Sequence, residues 1–382
     1  MTTVAAVRER APGERRVAIV PEVVDRLRSA GLAVLVETGA GAAGWFPDDA
    51  YRRAGAEVVT AAELRDRADI VACLRPPEWP LRAGQLLVGL LDPLRHPERA
   101  AAWAAQKATA ISLDLLPRTL PRAQAMDALS SQAAIAGYRA VLLAATHYGR
   151  YFPMLTTPAG TTVPASVLVL GTGVAGLAAI GTARRLGAQV TGYDLRPAAR
   201  GEVESLGAKF LSLTAVEPSE GAGGYARALT DAEQAALRGQ LDRQVTRFDV
   251  VITSAQVPGR PPPLLITEAG LATMRPGSVV VDLAAGEHGG NVAGVIPDQT
   301  VVRGDGVTLI GGGNLPAGMP VGASIAYARN LTALLLQLVR DGEPRIDFDD
   351  EILAGVVVTH DGAVVHPAVA ARLDQVPTGG VR

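Results

Sequence analysis

"VLVLGTGVAGLAAIGTARRLGAQVTGYDLRP", residues 167–197, decides the fold of this chain. Four apolar residues read as a buried strand, and Gly171, Gly173 and Gly176 follow as G-x-G-x-x-G at the opening of a helix. The first glycine permits a tight turn, the second lets backbone approach a pyrophosphate, and the third lets helix and strand pack closely. The helix start at Val174 and Ala175 then offers unpaired N–H groups to phosphates. Asp194 ends the next strand about 20 residues on, where an acidic side chain accepts from a ribose 2′-hydroxyl and repels a 2′-phosphate. Leu195 and Arg196 complete that turn. Arg196 could welcome a phosphate, but Asp194 is expected to dominate, so the unit predicts NAD(H) rather than NADP(H).

Outward from this unit the same alternation continues. Strands are expected at 167–170, 189–193, 249–252, 278–282 and 308–310, with helices near 174–186, 199–206 and 266–274. The stretch 216–247 starts Gly-rich and becomes a polar helix, which reads as a mobile loop. The first third repeats the pattern, with strands at 3–7, 33–37, 57–60, 69–74, 85–90 and 109–115 and helices at 21–30, 47–54 and 97–107. A long amphipathic helix is expected over 323–340, and 344–367 reads as strand-rich. The fold expectation is α/β, with two doubly wound parallel-sheet (Rossmann-like) domains joined by long helices. Residues 1–125 and 326–382 form the first, and 126–325 form the Rossmann NAD(H)-binding domain.

Composition narrows the function classes. A net charge of −2 over 382 residues leaves no basic footprint for nucleic acid and no polybasic membrane patch. Cys73 is alone, which excludes a disulfide framework and a cysteine-based metal site and suits a reducing, cytoplasmic setting. No signal peptide is read at the start, and the apolar runs at 167–180 and 331–339 are shorter than the ~20 residues of a membrane helix. A soluble chain is expected, held at a membrane only through other proteins.

Two further stretches, "ITSAQVPGRPPPLLIT" (252–267) and "VVVDLAAGEHGGN" (279–291), follow later strands of the nucleotide sheet. Ligands of doubly wound folds lie over the carboxyl ends of strands, so Thr253, Ser254, Ala255 and Asn291 are placed to face adenosine or nicotinamide. Plain turn chemistry is the alternative for any one of them. A dehydrogenase acting on an alcohol or amine also needs a positioned proton carrier. His96, His147, His288, His360 and His366 sit in no recognisable catalytic motif, and neither Lys107 nor Lys209 lies beside a strand end of the presumed cleft. A second nicotinamide as partner removes the difficulty, because that exchange moves no proton at the reacting carbons. "RAQAMDALSSQAAIAGYRAV" (122–141) then gains a purpose. Gln124 and Asp127 could hold a nicotinamide carboxamide and ribose by hydrogen bonds, with a helix cap at Asp127 or Ser130 as the alternative.

These stretches, with "GGYA" (223–226) and "GEVESLGAKF" (201–210), resemble the NAD(H)-binding component, domain I, of proton-translocating nicotinamide nucleotide transhydrogenase. The likeness runs from "RAPGERRVAIVPE" (10–22) to "DFDDEI" (347–352). It implies that Gln124 lies beside both nicotinamides, with Arg118, Asp127, Ser130 and Tyr138 as companions, although "PRTLPRAQ" (117–124) is one residue longer than the family pattern. It implies that Gly224 and Tyr225 belong to a loop folding over bound nucleotide. It also implies NADP(H) on a partner beta subunit, a membrane-embedded subunit, and a homodimer docked peripherally on that membrane. Alanine dehydrogenase shares the superfamily and is the rival. Its acid–base lysine and histidine belong on stretches matching "VACLRPP" (71–77) and "LLVGLLDPL" (86–94), and neither stretch has Lys or His. A third reading is an NAD-binding sensor, which would have no use for Gln124 and Tyr225.

Overall fold

The computed structural model describes residues 1–216, 227, 229–256 and 260–375. The chain divides into two compact units, Met1–Gln132 with Ala317–Arg382, and Ala133–Pro316.

The first unit is built on a sheet whose order is 363–364, 357–360, 109–112, 86–89, 70–72, 3–6, 33–37, 57–59. The six strands from the first third are mutually parallel, while 357–360 and 363–364 add an antiparallel edge. Ile70–Ala72, Leu86–Gly89 and Thr109–Ser112 are buried at every position. That pattern belongs to parallel strands covered on both faces. Successive residues point to opposite faces and feed two separate cores. Val4, Val34, Val36 and Ile70 enter one, whereas Ala5, Leu35, Val71 and Cys73 enter the other. The helix Pro320–Leu338 seals the first core with Tyr327, Leu331, Leu334, Leu335 and Leu338, all fully buried.

The second unit has the order 209–210, 189–193, 166–170, 250–253, 279–282, 307–311, 300–303, parallel except for the edge strand Thr300–Arg303. The strand Ser166–Leu170 lies between Gln189–Tyr193 and Val250–Thr253, so the chain reverses its winding direction there. Doubly wound sheets bind ligands at that switch point, over the carboxyl ends of the strands. Both sheets are thus Rossmann-like, as the alternation predicts. Among the described residues no helix is long and apolar enough to cross a membrane.

Three departures have local causes. The region expected to be strand-rich over 344–367 contains the helix Glu351–Val356. Asp350 caps it by accepting from the Ile352 and Leu353 amides, and Ile352, Leu353 and Val356 recur at helical spacing on the buried side. The helix Ala61–Arg67 has no counterpart among the sequence-based expectations. Its signal is a capping box, Thr60 with Glu63 three residues later. The first of the long helices expected to join the domains, beginning near 126, starts as Ala128–His147, after a 3₁₀ turn over Pro121–Met126.

Truncating Leu331 to alanine empties a fully enclosed site. The unfolding free energy should fall by roughly 2–5 kcal/mol, read as a lower denaturant midpoint at constant slope.

Candidate nucleotide site

The Gly-rich turn is shaped by what its glycines lack. Gly171 has φ +88°, and a Cβ there would stand 2.9 Å from the Ala255 nitrogen. A Cβ on Gly176 would lie 2.0 Å from the Gly171 carbonyl oxygen, closer than atoms can approach. Around Gly173 nothing among the described residues lies within 4 Å of that position. Two glycines close the turn and the third leaves an open approach. The helix Val174–Arg185 starts at Gly173 with no side-chain cap, so its first-turn amides at Val174 and Ala175 keep the electropositive end of the helix for an anion. These features fit a dinucleotide pyrophosphate. Gly137 carries no motif of its own in the sequence. A Cβ there would reach within 2.0 Å of the Ala175 carbonyl oxygen, so the helix Ala128–His147 packs directly on that first turn. Tyr138 follows it and is 40% exposed.

Asp194 is less free than its sequence position suggests. Its Oδ2 accepts from the Thr172 amide at 2.8 Å and the Thr172 hydroxyl at 3.3 Å. Its Oδ1 accepts from the Arg196 amide at 2.9 Å and from Arg196 Nε at 3.2 Å. The carboxylate therefore ties the Gly-rich turn to the next strand. Burial opposes the charge on Arg196, but Asp194 and Glu202 outweigh it and hold the guanidinium pKa above its usual value. Leu195 packs partly buried against the core of this unit.

The loops over the later strands are cross-braced. The Ser254 hydroxyl donates to the Gly171 carbonyl at 2.8 Å. The Ala255 amide donates to Asn291 Oδ1, and Asn291 Nδ2 donates to the carbonyls of Ala255 and Pro263. Thr253 is fully buried and donates to Asp282 at 2.9 Å. Thr253 and Asn291 thus hold loop shape, while Ser254 and Ala255 flank the turn itself. Gly224 and Tyr225 lie outside the described residues. A cavity of about 100 Å³ lined by Tyr148, Arg150, Asp249, Arg275 and Ser278 sits at the opposite, amino-terminal edge of the strands and includes none of these groups.

The polar junction belongs to the first unit. Arg118 donates from Nε to Asp127 Oδ2 at 2.8 Å and from Nη2 to Ser130 Oγ at 2.6 Å. Asp127 Oδ1 accepts from the Ser130 amide at 2.8 Å, closing a ring of three residues. One oxygen of Asp127 thus caps the helix start while the other holds the Arg118 guanidinium. Burial would raise the Asp127 carboxyl, but the bonds from Ser130 and Arg118 outweigh it and hold its pKa below the usual range. Arg122 pairs with Asp350, and Ser131 donates to the Ala128 carbonyl. Gln132 is buried, accepting from Arg16 at 2.8 Å and donating to the Ala323 carbonyl at 3.0 Å. Gln124 is exposed on its 3₁₀ turn, and its side chain bonds to no described residue. Of the six polar side chains over 122–132, only the Gln124 amide bonds to no described residue.

The carboxyl edge of the first sheet holds a buried polar set but no proton carrier of the lysine or histidine kind on 71–77 or 86–94. Arg16 is closed off by a two-pronged bond to Glu14 as well as by Gln132. Cys73 is fully buried, and burial pushes its thiol well up. Glu9 accepts from the Leu74 amide at 2.6 Å and the Arg75 amide at 3.3 Å. Burial pushes its carboxyl up to about 7 and Glu14 adds to the rise, against the lowering pull of those amides and of Arg16.

Comparison with known proteins agrees with this layout. Residues 5–136 match the model for the alanine dehydrogenase/PNT N-terminal domain, and 140–367 match the C-terminal domain. The chain belongs to the alanine dehydrogenase/PNT family. It is 42% identical to NAD(P) transhydrogenase subunit alpha of Cereibacter sphaeroides, covering 95% of this chain and 71% of that one. It is 30% identical to alanine dehydrogenase of Bacillus subtilis, over 94% and 92%. The crystal structure of transhydrogenase from Sinorhizobium meliloti matches with a TM-score of 0.83 and 40% identity, over 96% and 99%. Within the family, the transhydrogenase branch is the nearer.

Two outcomes test this geometry. Gly176→Ala forces helix and turn apart, so NADH binding measured by calorimetry should weaken at least ten-fold even where the fold survives. Glu9, with its pKa raised from an ordinary 4.5 to about 7, holds its proton more tightly folded than unfolded. Its stabilising contribution is complete below about 4.5 and is lost as pH rises toward 7. Glu9→Gln should flatten the stability curve across that window; parallel curves for the two proteins would mean an ordinary carboxyl.

Proposed function

We propose that this chain is the NAD(H)-binding component of a proton-translocating NAD(P) transhydrogenase. It passes hydride between its own NAD(H) and NADP(H) held on a partner beta subunit. The observation that carries the reading is a complete nucleotide turn in a chain whose first unit offers Cys73, Leu74 and Leu91, but no lysine or histidine, on 71–77 and 86–94. Substrate dehydrogenation needs a proton carrier there, whereas exchange between two nicotinamides does not. The 42% identity to a transhydrogenase alpha subunit, against 30% to alanine dehydrogenase, supports the same choice.

Bound NAD(H) supplies or accepts the hydride. The chain's own residues bind and orient it. First-turn amides at Val174 and Ala175 hold the pyrophosphate that Gly171, Gly173 and Gly176 admit, and Asp194 accepts from the ribose. Ser254 and Ala255 fix the far wall of the turn, braced from behind by Thr253 and Asn291. Gln124 acts on the nicotinamide, and the ring of Arg118, Asp127 and Ser130 keeps the backbone beside it rigid. Tyr138, Gly224 and Tyr225 complete the site as the family resemblance implies. A membrane-embedded subunit completes proton translocation, and the chain works as a homodimer on the cytoplasmic side of that membrane. Mixing the protein with an NADP(H)-binding partner and following hydride exchange tests the whole reading.

Gln124→Asn keeps the amide and shortens its reach by one methylene. NADH binding should stay nearly intact, while hydride transfer to a partner-bound NADP analogue falls roughly ten-fold or more, about 1.4 kcal/mol in barrier. Asp127→Asn should act in the same direction more mildly. A Gln124→Asn protein with full transfer rate would reduce the stretch to a helix start. Separately, the chain should neither oxidise alanine nor aminate pyruvate with NAD(H), and appreciable turnover of either would favour the amino-acid dehydrogenase.

A further inference from the structure

The acidic residues of "GEVESLGAKF" (201–210) are not used by the nucleotide reading above. They sit on the helix Ala199–Ser205, which follows the Asp194 turn. Each of two glutamates on it faces an arginine. Glu204 lies 3.5 Å from Arg200, whose guanidinium also donates to Ser212 at 2.9 Å and covers the Phe210 ring at 4.7 Å. Glu202 lies 3.4 Å from Arg196 Nη2, which also donates to the Thr172 carbonyl at 3.0 Å.

Asp194 is crowded. An ionised carboxylate has about four lone-pair sites. The Thr172 amide, the Thr172 hydroxyl, the Arg196 amide, Arg196 Nε and Arg196 Nη2 all point at it, at 2.8, 3.3, 2.9, 3.2 and 3.3 Å. A ribose hydroxyl can be accepted only if one donor yields. The two backbone amides are fixed by the turn and the Thr172 side chain is fully buried, so the mobile donor is the Arg196 guanidinium, which makes two of the five contacts. The other carboxylate within its reach is Glu202.

We infer that Glu202 is a specificity-determining residue, which receives the Arg196 guanidinium when Asp194 takes the ribose and denies that guanidinium to a 2′-phosphate. The inference rests on the NAD(H) reading of this turn. Two carboxylates around one guanidinium leave the ribose end with a net negative charge. A 2′-phosphate meets Asp194 and finds Arg196 already paired. Without Glu202, one carboxylate instead of two neutralises Arg196, so the guanidinium competes with the ribose for Asp194 and has more of its charge free to meet a phosphate. Glu202 is thus expected to strengthen NADH binding and weaken NADPH binding through the same contact. A residue that only stiffened the helix would move both affinities together.

Calorimetry of the whole purified chain with NADH and with NADPH tests this. The wild type should favour NADH. Glu202→Gln should weaken NADH and strengthen NADPH binding, narrowing their ratio by roughly ten-fold. Adding Arg196→Gln to Glu202→Gln should abolish the NADPH gain, because the freed cation is gone. A wild type that favours NADH beside a Glu202→Gln variant with the same ratio overturns this inference and leaves the NAD(H) reading standing. Equal affinities in the wild type, or no binding of either nucleotide, overturn both. If Glu202→Gln melts early, Glu202→Asp retains the charge on a shorter arm. The inference then requires a partly narrowed ratio in that variant, and an unchanged one overturns it.

Discussion

Everything at the nucleotide end of this chain depends on three backbones meeting without side chains between them. Gly171 turns at φ +88°, Gly176 lets the following helix press on its carbonyl, and Gly137 lets a second helix press on Ala175. In two of these contacts a single Cβ would intrude to 2.0 Å. Close packing transmits such an intrusion rather than absorbing it. The open space beside Gly173 exists because its neighbours on either side are closed. Asp194 then fixes the turn from the adjacent strand through the Thr172 amide. The open, uncapped start of the helix Val174–Arg185 is a product of packing before it is a product of charge.

The polar junction at 122–132 follows a different logic. Most of its side chains are consumed locally: Arg118 closes a ring with Asp127 and Ser130, Arg122 reaches Asp350, and Gln132 bridges Arg16 and the Ala323 carbonyl. A buried guanidinium is costly unless its donors are satisfied, and Arg16 meets that condition with Glu14 and Gln132 together. The consequence is stiffness. Gln124 is left, among the described residues, as a single unpaired amide on a turn whose neighbours Ala123 and Met126 are buried. A group that acts on a barrier through its position needs such a mounting.

The strands and the nucleotide turn are legible in the sequence because both announce themselves in local chemistry. Buried parallel strands read as unbroken apolar runs, and the glycine spacing at 171–176 has a steric reason at each position. What escapes such a reading is set by neighbours distant in sequence. Gly137 looks like a weak point within a helix until Ala175 is seen against it. Glu351–Val356 reads as a strand because "ILAGVVV" is an apolar run, and only the Asp350 cap and the burial of Ile352, Leu353 and Val356 decide for a helix. The Thr60–Glu63 box is a local signal too, but the helix it opens is short and its apolar face rests on Leu64 alone. Pairings such as Arg196 with Glu202 carry no sequence signal beyond charge. Their partners are chosen by where the turn and the next helix place them.

The first unit shows how packing also forecloses chemistry. Its sheet has the same winding as the second, and its carboxyl edge could hold a substrate. Yet the end of the strand Ile70–Ala72 is filled. Tyr327, fully buried, donates its hydroxyl to the Cys73 carbonyl at 2.6 Å, and Glu9 accepts from the next two amides. A Cβ on Gly89 would meet the Cys73 oxygen at 2.5 Å and its sulfur at 2.7 Å. The backbone of Gly89 thus lies directly against Cys73, and a longer side chain at 73 would have to run past it toward Glu9 and Asp114. Cys73 fills this place fully buried, with burial and the nearby Glu9 and Asp114 carboxyls all holding its thiol protonated. The unit instead presents a rigid frame from which Gln124 projects.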